Sequence, residues 1–156
     1  MITTTKNTYP KPYELLPHRP PFLLVDTIEG FQLGESLIAI KEVGKDEVFF
    51  KGHFPGQPIL PGVIIVEMMF QACGLYGRLE RLNLASGNNK NTLEKPPSGR
   101  AIKINNVSFH KEVKPESKLL IKIKPKQQLM GFSVFDAKVS CEEALVAKGT
   151  LTVHIS

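Results

Sequence analysis

Cysteine is scarce in this chain. Two occur, Cys73 and Cys141, and both stand among apolar or strand-forming neighbours. Two such thiols build no disulfide framework and fit a reducing compartment. No CxxC pair and no paired-histidine spacing offers a zinc site, so no metal is expected. Long hydrophobic runs are also missing: nothing reaches the ~18 consecutive apolar residues of a membrane span. The opening stretch MITTTKNTYPKPYELLPHR has no apolar h-region. No secretory signal is read there, and a cytoplasmic location is the expectation. For the same reason the Asn-Val-Ser sequon at Asn106 carries no weight. Repeats and low-complexity tracts are absent as well. What remains suits one soluble domain spanning 1–156. Its 156 residues, 42% apolar and 22% charged, are enough for a real core.

The net charge of +5 is concentrated. Between positions 100 and 126 stand Arg100, Lys103, Lys111, Lys114, Lys118, Lys122, Lys124 and Lys126, against only Glu112 and Glu116. Such a stretch attracts an acidic protein, a nucleic acid or an anionic membrane, or is simply a solvated strand surface. Nucleic acid is the weakest of these, because no surface aromatics interleave for base stacking.

Proline and glycine divide the chain. Residues 1–12 are polar and proline-broken, and read as a loose arm. The segment YELLPHRPPFLLVD begins with a short helical turn that must stop before Pro20-Pro21. FLLVDTIEGFQLGESLIAIKEV reads as two strands around a turn near Gly34-Glu35. A Gly/Pro segment over 52–62 leads into a helix from about Pro61 to Leu79. A polar loop is expected over 83–99. The remainder, AIKINNVSFHKEV, KLLIKIKPKQQL, GFSVFDAKVSCEE and ALVAKGTLTVHIS, alternates as antiparallel strands with one covered face. One long helix is available to cover them. The fold class is therefore α+β, a single central helix wrapped by a five- to six-stranded antiparallel sheet.

The helix is apolar on every side but one. Such a helix is buried, and a charge within it needs a reason. Glu67 and Gln71, spaced i, i+4, share a face that Gly74 continues, so the stripe resembles a pocket wall. Pro61 suits a helix start, where Gly62 and Val63 present free N–H groups at the positive end of the dipole. Those groups suit a carbonyl oxygen that gains negative charge. GHFPGQP turns the chain back and holds His53 near the same end. An imidazole base, a carboxyl that burial would keep protonated, and backbone donors suit proton abstraction beside a carbonyl with loss of a leaving group. Against this, a lone loop histidine is usually structural, and a buried glutamate is often merely paired. His18, in a proline-rich turn, reads as structural, and His110 and His154 have no evident partner.

LLPHRPPFLLVD, GHFPGQPILPGVIIVE, the following Gln71 and FHKEVKPESKL resemble the 3-hydroxyacyl-[acyl-carrier-protein] dehydratases of the FabZ type, over roughly residues 13–155. The resemblance implies the hotdog fold, and a dimer with His53 and Glu67 brought together from different subunits, assembled further as a trimer of dimers. It implies that His53 removes the C2 proton of a 3-hydroxyacyl thioester while Glu67 helps the C3 hydroxyl leave as water. The Gly62 N–H would polarise the carbonyl, Gln71 would order Glu67 or the departing water, and Phe54 would line a tunnel for the phosphopantetheine arm. No cofactor is implied. Acyl carrier protein becomes the natural acidic partner, with Arg100, Lys103, Lys111 or Lys114 to steer it. The related dehydratase–isomerases carry aspartate where Glu67 stands, so dehydration without isomerisation is expected. Met68, Met69 and Phe70 are bulkier than the family's usual residues there, and Leu60 replaces a frequent methionine. Bulk beside the tunnel would reshape the acyl site and point to a specialised pathway. A hotdog thioesterase and a non-catalytic acyl or carrier-protein binding module are the alternatives.

Overall fold

Alternation decides which face of each strand is buried. Along residues 117–123, Leu119, Ile121 and Ile123 are fully buried while Lys118 is exposed, as a half-covered strand requires. Leu37 and Ala39 on one neighbour, and Ala137 and Val139 on the other, continue the same inward face. The structure, a computed structural model, describes residues 8–85 and 99–155. The chain runs α1 (Pro12–Leu15), β1 (Thr27–Gln32), β2 (Ser36–Val43), a 3-10 turn (Val48–Phe50), α2 (Gly62–Ala85), β3 (Gly99–Phe109), β4 (Ser117–Leu129), β5 (Phe132–Cys141) and β6 (Ala144–Ile155). The six strands form one antiparallel sheet in the order β1-β2-β4-β5-β6-β3.

Helix α2 lies against this sheet, touching β2, β4, β5 and β6. Ile65, Met68, Met69, Ala72, Cys73, Leu75, Tyr76 and Leu79 are all buried against it. Each large apolar side chain contributes about 1.5–3 kcal/mol by leaving water. By length and composition α2 would cross a membrane, but 61% of that window is buried inside the protein. It is a core helix. The ring of Tyr76 packs on Phe31 and Phe135, and its hydroxyl accepts the Gly34 N–H at 2.9 Å. That bond pins the β1–β2 turn to the helix. The turn falls where glycine permits φ +78°, at Gly34.

Three expectations change. The helix continues to Ala85, six residues beyond Leu79, because Leu82 extends the apolar stripe and Glu80, Arg81 and Ala85 are good helix formers. The first residues of the loop expected over 83–99 therefore belong to α2, and 86–98 lie outside the described residues. Part of the expected loose arm is docked: Tyr9 packs on the core and its hydroxyl accepts the Phe31 N–H at 3.1 Å. Residues 1–7 lie outside the described residues. Finally, the alternation of Leu37, Ala39 and Lys41 with Ile38, Ile40 and Glu42 reads as a strand half-exposed at its polar end, yet Lys41 is buried on the inward face of β2. Its ammonium meets Glu47 at 3.0 Å and Asp26 at 3.6 Å, which offsets the cost of burying it.

Candidate active site

The polar stripe on α2 is a wall of a cavity of about 120 Å³. Glu67, Gln71 and Gly74 line it, facing Leu15, Leu16, Pro17 and His18 of the α1 segment and Gly99, Arg100 and Ala101 of β3. Gln71 is almost wholly buried and fully bonded. Its Oε1 accepts the Leu24 N–H at 2.9 Å, and its Nε2 donates to the Phe22 carbonyl at 2.8 Å and to Glu67 Oε1 at 3.1 Å. These partners allow one amide orientation only, since an N–H must meet oxygen and a carbonyl must meet nitrogen. Gln71 thus holds the segment after Pro20-Pro21 against α2 and aims Glu67 at the same time. Oε2 of Glu67 has no protein partner among the described residues.

Glu67 is not sealed from water as its apolar neighbours suggest: its side chain is 27% exposed in the single chain. His18, read from sequence as structural, stands beside it, Nε2 3.7 Å from Glu67 Oε1. Its Nδ1 is buried without a partner. The Pro20-Pro21 turn and the Gln71 clamp bring His18 there, and the clamp, which spans almost fifty positions, does not show in the local sequence. Met68 and Met69, expected beside the tunnel, are in the core; of the three bulky residues only Phe70 lines the cavity. Leu60 is likewise core. Gly74, without a side chain, would leave room beside the stripe, but Leu16 fills it: its Cδ2 would lie 3.0 Å from an added Cβ.

His53 lies in the loop that feeds α2, outside this cavity. The loop folds back on itself: the Ile59 N–H donates to the His53 carbonyl, and His53 Nδ1 meets the Ile59 carbonyl, both at 2.9 Å. A carbonyl only accepts, so Nδ1 carries the proton. In the neutral ring Nε2 then holds a free lone pair. The imidazole is stacked on Phe54, centroids 4.2 Å apart, and Phe54 is exposed beside it, so it does not line the Glu67 cavity. Pro61 caps α2 through its carbonyl, which takes the Ile64 and Ile65 N–H groups, and those of Gly62 and Val63 have no backbone partner among the described residues. Val63 is 75% exposed. Phe109 closes over Gly62: a Cβ there would meet its ring at 2.8 Å. One chain therefore carries both halves of the expected chemistry at separate places, His53 with the helix N-terminus and Glu67 with the cavity.

The basic run does not form one face. β3 is at one edge of the sheet, and β4 is three positions away. Arg100 and Lys103 are on β3, and Lys111 and Lys114 follow it in the exposed connection to β4. Lys122 instead pairs across the ladder with Lys138. Arg100 lines the Glu67 cavity, a placement its strand-edge position alone did not suggest.

The chain is similar to known proteins over most of its length. The FabA-like domain family matches residues 16–150. Relatives named 3-hydroxyacyl-[acyl-carrier-protein] dehydratase FabZ include one from Klebsiella pneumoniae subsp. pneumoniae, 40% identical over 140 residues, 85% of this chain and 86% of that protein. Another, from Clostridioides difficile, is 37% identical over 138 residues, 88% and 89% of the two chains. The chain belongs to the FabZ-type dehydratase family. Its hotdog fold is shared with the dehydratase heterocomplex ApeI:P of Xenorhabdus doucetiae, at TM-score 0.76 and 22% identity over 95% of this chain and 92% of that one. A Streptococcus mutans protein bound to acetyl CoA shares the fold at TM-score 0.62 and 19% identity, covering 90% and 95%.

Proposed function

We propose that this chain dehydrates 3-hydroxyacyl groups carried on acyl carrier protein, giving trans-2-enoyl thioesters. The observation that carries the reading is Glu67, aimed by Gln71 into a cavity, in a chain of the FabZ-type family. His53 Nε2 takes the C2 proton, and the Ile59 carbonyl stabilises the imidazolium through Nδ1–H. The electron pair becomes the C2–C3 double bond. The C3–O bond breaks, and Glu67 delivers a proton to the departing hydroxyl, so one water leaves. The N–H groups of Gly62 and Val63 stabilise the thioester oxygen while charge gathers on it.

His53 and Glu67 meet across a homodimer interface in this reading, and their separate placement within one chain supports it. Three dimers then form the hexamer. The thioester itself acidifies C2, so neither metal nor redox cofactor enters, and phosphopantetheine arrives with the substrate. Phe54, exposed beside His53, flanks the arm's entry. Lys103, Lys111 and Lys114, with Arg100 at the cavity, attract the acidic carrier protein. The enzyme works in the cytoplasm, in fatty-acid synthesis or a related specialised acyl pathway.

The test is mass spectrometry of a panel of 3-hydroxyacyl carrier proteins. Loss of one water is expected, and Glu67→Gln or His53→Ala should lower turnover about 10²–10⁴-fold. Full activity in either variant would refute the role assignment. Free thiol release without an enoyl product would identify a thioesterase instead. Acyl binding with no reaction at all would leave a binding module.

A further inference from the structure

Arg78 stands in the cavity wall, and the dehydration chemistry does not use it. It is 7% exposed and lines the cavity together with Glu67. Its Nε is buried with no hydrogen-bond partner. No carboxylate among the described residues forms an ion pair with it. Burial, and then the like charge of Arg81, lower the guanidinium's pKa. Burying a charge without a partner is costly, so its retention in the wall suits an anionic ligand.

Position supplies the second part of the argument. Glu67, Gln71, Gly74 and Arg78 fall at i, i+4, i+7 and i+11, one face of α2. Eleven residues span about 16 Å of helix axis. A helical arginine leans toward the N-terminus, so the guanidinium reaches back along the stripe toward Gly74 and Gln71. Leu15, Leu16, Phe70 and Val153 give the rest of the lining much apolar surface. Arg100 adds a second cation to the lining. A cavity with apolar walls and a guanidinium that has no ion-pair partner among the described residues suits a chain that is apolar along its length and ends in oxygen. A methyl end would leave Arg78 unsatisfied, whereas a carboxylate meets the planar fork with two hydrogen bonds.

We propose that Arg78 selects acyl chains whose distal end carries a carboxylate. The proposal rests on the dehydratase reading for the identity of the chain, but not for the existence of the anion site. A site built to bond a polar group rejects the analogue lacking it far more strongly than an apolar pocket rejects an extra methylene.

Two measurements separate the claims. The first compares kcat/KM for matched 3-hydroxyacyl carrier proteins that end in carboxylate or methyl, across several chain lengths. The wild-type enzyme should prefer the carboxylate at least 10-fold at its best length. Arg78→Leu should reverse that preference, and Arg78→Lys, which keeps charge but loses the fork, should fall between. The second is calorimetric binding of the corresponding saturated pantetheine thioesters, which cannot be dehydrated. The carboxylate-ended probe should bind at least 10-fold tighter, and Arg78→Leu should abolish the difference. A methyl preference in the wild-type enzyme, or equal loss with both substrates in both variants, overturns the proposal while leaving the dehydratase reading intact. Tight carboxylate binding without any dehydration upholds the Arg78 site and overturns the dehydratase reading. If Arg78→Leu does not fold, the wild-type substrate pair and Arg78→Lys decide.

Discussion

Replacing Gln71 by methionine keeps the length of the side chain and removes every polar atom from it. The Leu24 N–H, which is buried, then loses its acceptor. An unsatisfied buried donor costs about 1–3 kcal/mol. The Phe22 carbonyl loses its donor too, but it is only part-buried, so water replaces the bond at a cost of about 0.5–1 kcal/mol. The methionine side chain, more apolar than the amide, recovers part of this, leaving a net loss of about 2–3 kcal/mol. A chain of 156 residues has an unfolding entropy of about 330 cal/mol/K, so the melting temperature should fall by about 6–9 °C. Glu67 loses its amide donor in the same step, and a neutral hydrogen bond is worth about 0.5–1.5 kcal/mol, so kcat should drop about 2- to 10-fold. Urea unfolding at fixed protein concentration, with the m-value checked for constancy, measures the first effect and turnover the second. If Gln71→Met unfolds within about 0.5 kcal/mol of the wild-type protein and keeps its kcat, the double clamp is not what holds the site.

Three further outcomes follow from particular contacts. Gly62→Ala brings a Cβ to 2.8 Å from the half-exposed Phe109 ring; the ring can swing, so stability should change by less than about 1 kcal/mol, while kcat/KM falls at least about 10-fold if a carbonyl must reach those N–H groups, and an unchanged kcat/KM would remove the first turn of α2 from the mechanism. Burial raises the Cys73 thiol above its ordinary 9.0, so the native protein keeps a proton that the unfolded chain releases; the stability is fully present below pH 9.0 and lost above it by up to about 1.4 kcal/mol per pH unit. Tyr76, raised from 10.0 chiefly by burial, adds to the decline at higher pH, and urea titrations at pH 8, 9 and 10 should flatten in Cys73→Ala. The β5–β6 turn holds Glu142 and Glu143 at φ +50° and +68°, so the pair Glu142→Asn and Glu143→Gly should stabilise by about 0.5–1 kcal/mol, seen as a higher urea midpoint.

Much of this protein is written in local pattern. Alternation along β2, β4, β5 and β6 is enough to assign strands, because the pleat sends neighbouring side chains to opposite faces. The apolar run from Val63 to Leu75 is enough to bury a helix, and the lone pair Glu67–Gln71 marks its polar face. Gly34 and the Pro/Gly loop before α2 mark the turns through their backbone limits. Where the chain meets itself across long separations, tertiary structure alone decides. Gln71 bonds Phe22 and Leu24, almost fifty positions away, and so brings His18 to Glu67. Met68 and Met69 point to the core and Phe70 to the cavity because the sheet lies on one side of α2. Strand order scatters a basic run that is continuous in sequence. Arg78 shows the division most clearly: its place on the stripe can be counted from Glu67, but that it is buried, with its Nε unbonded among the described residues, depends on what packs around it. Periodicity fixes which way a side chain faces, and only the folded neighbours fix what it meets.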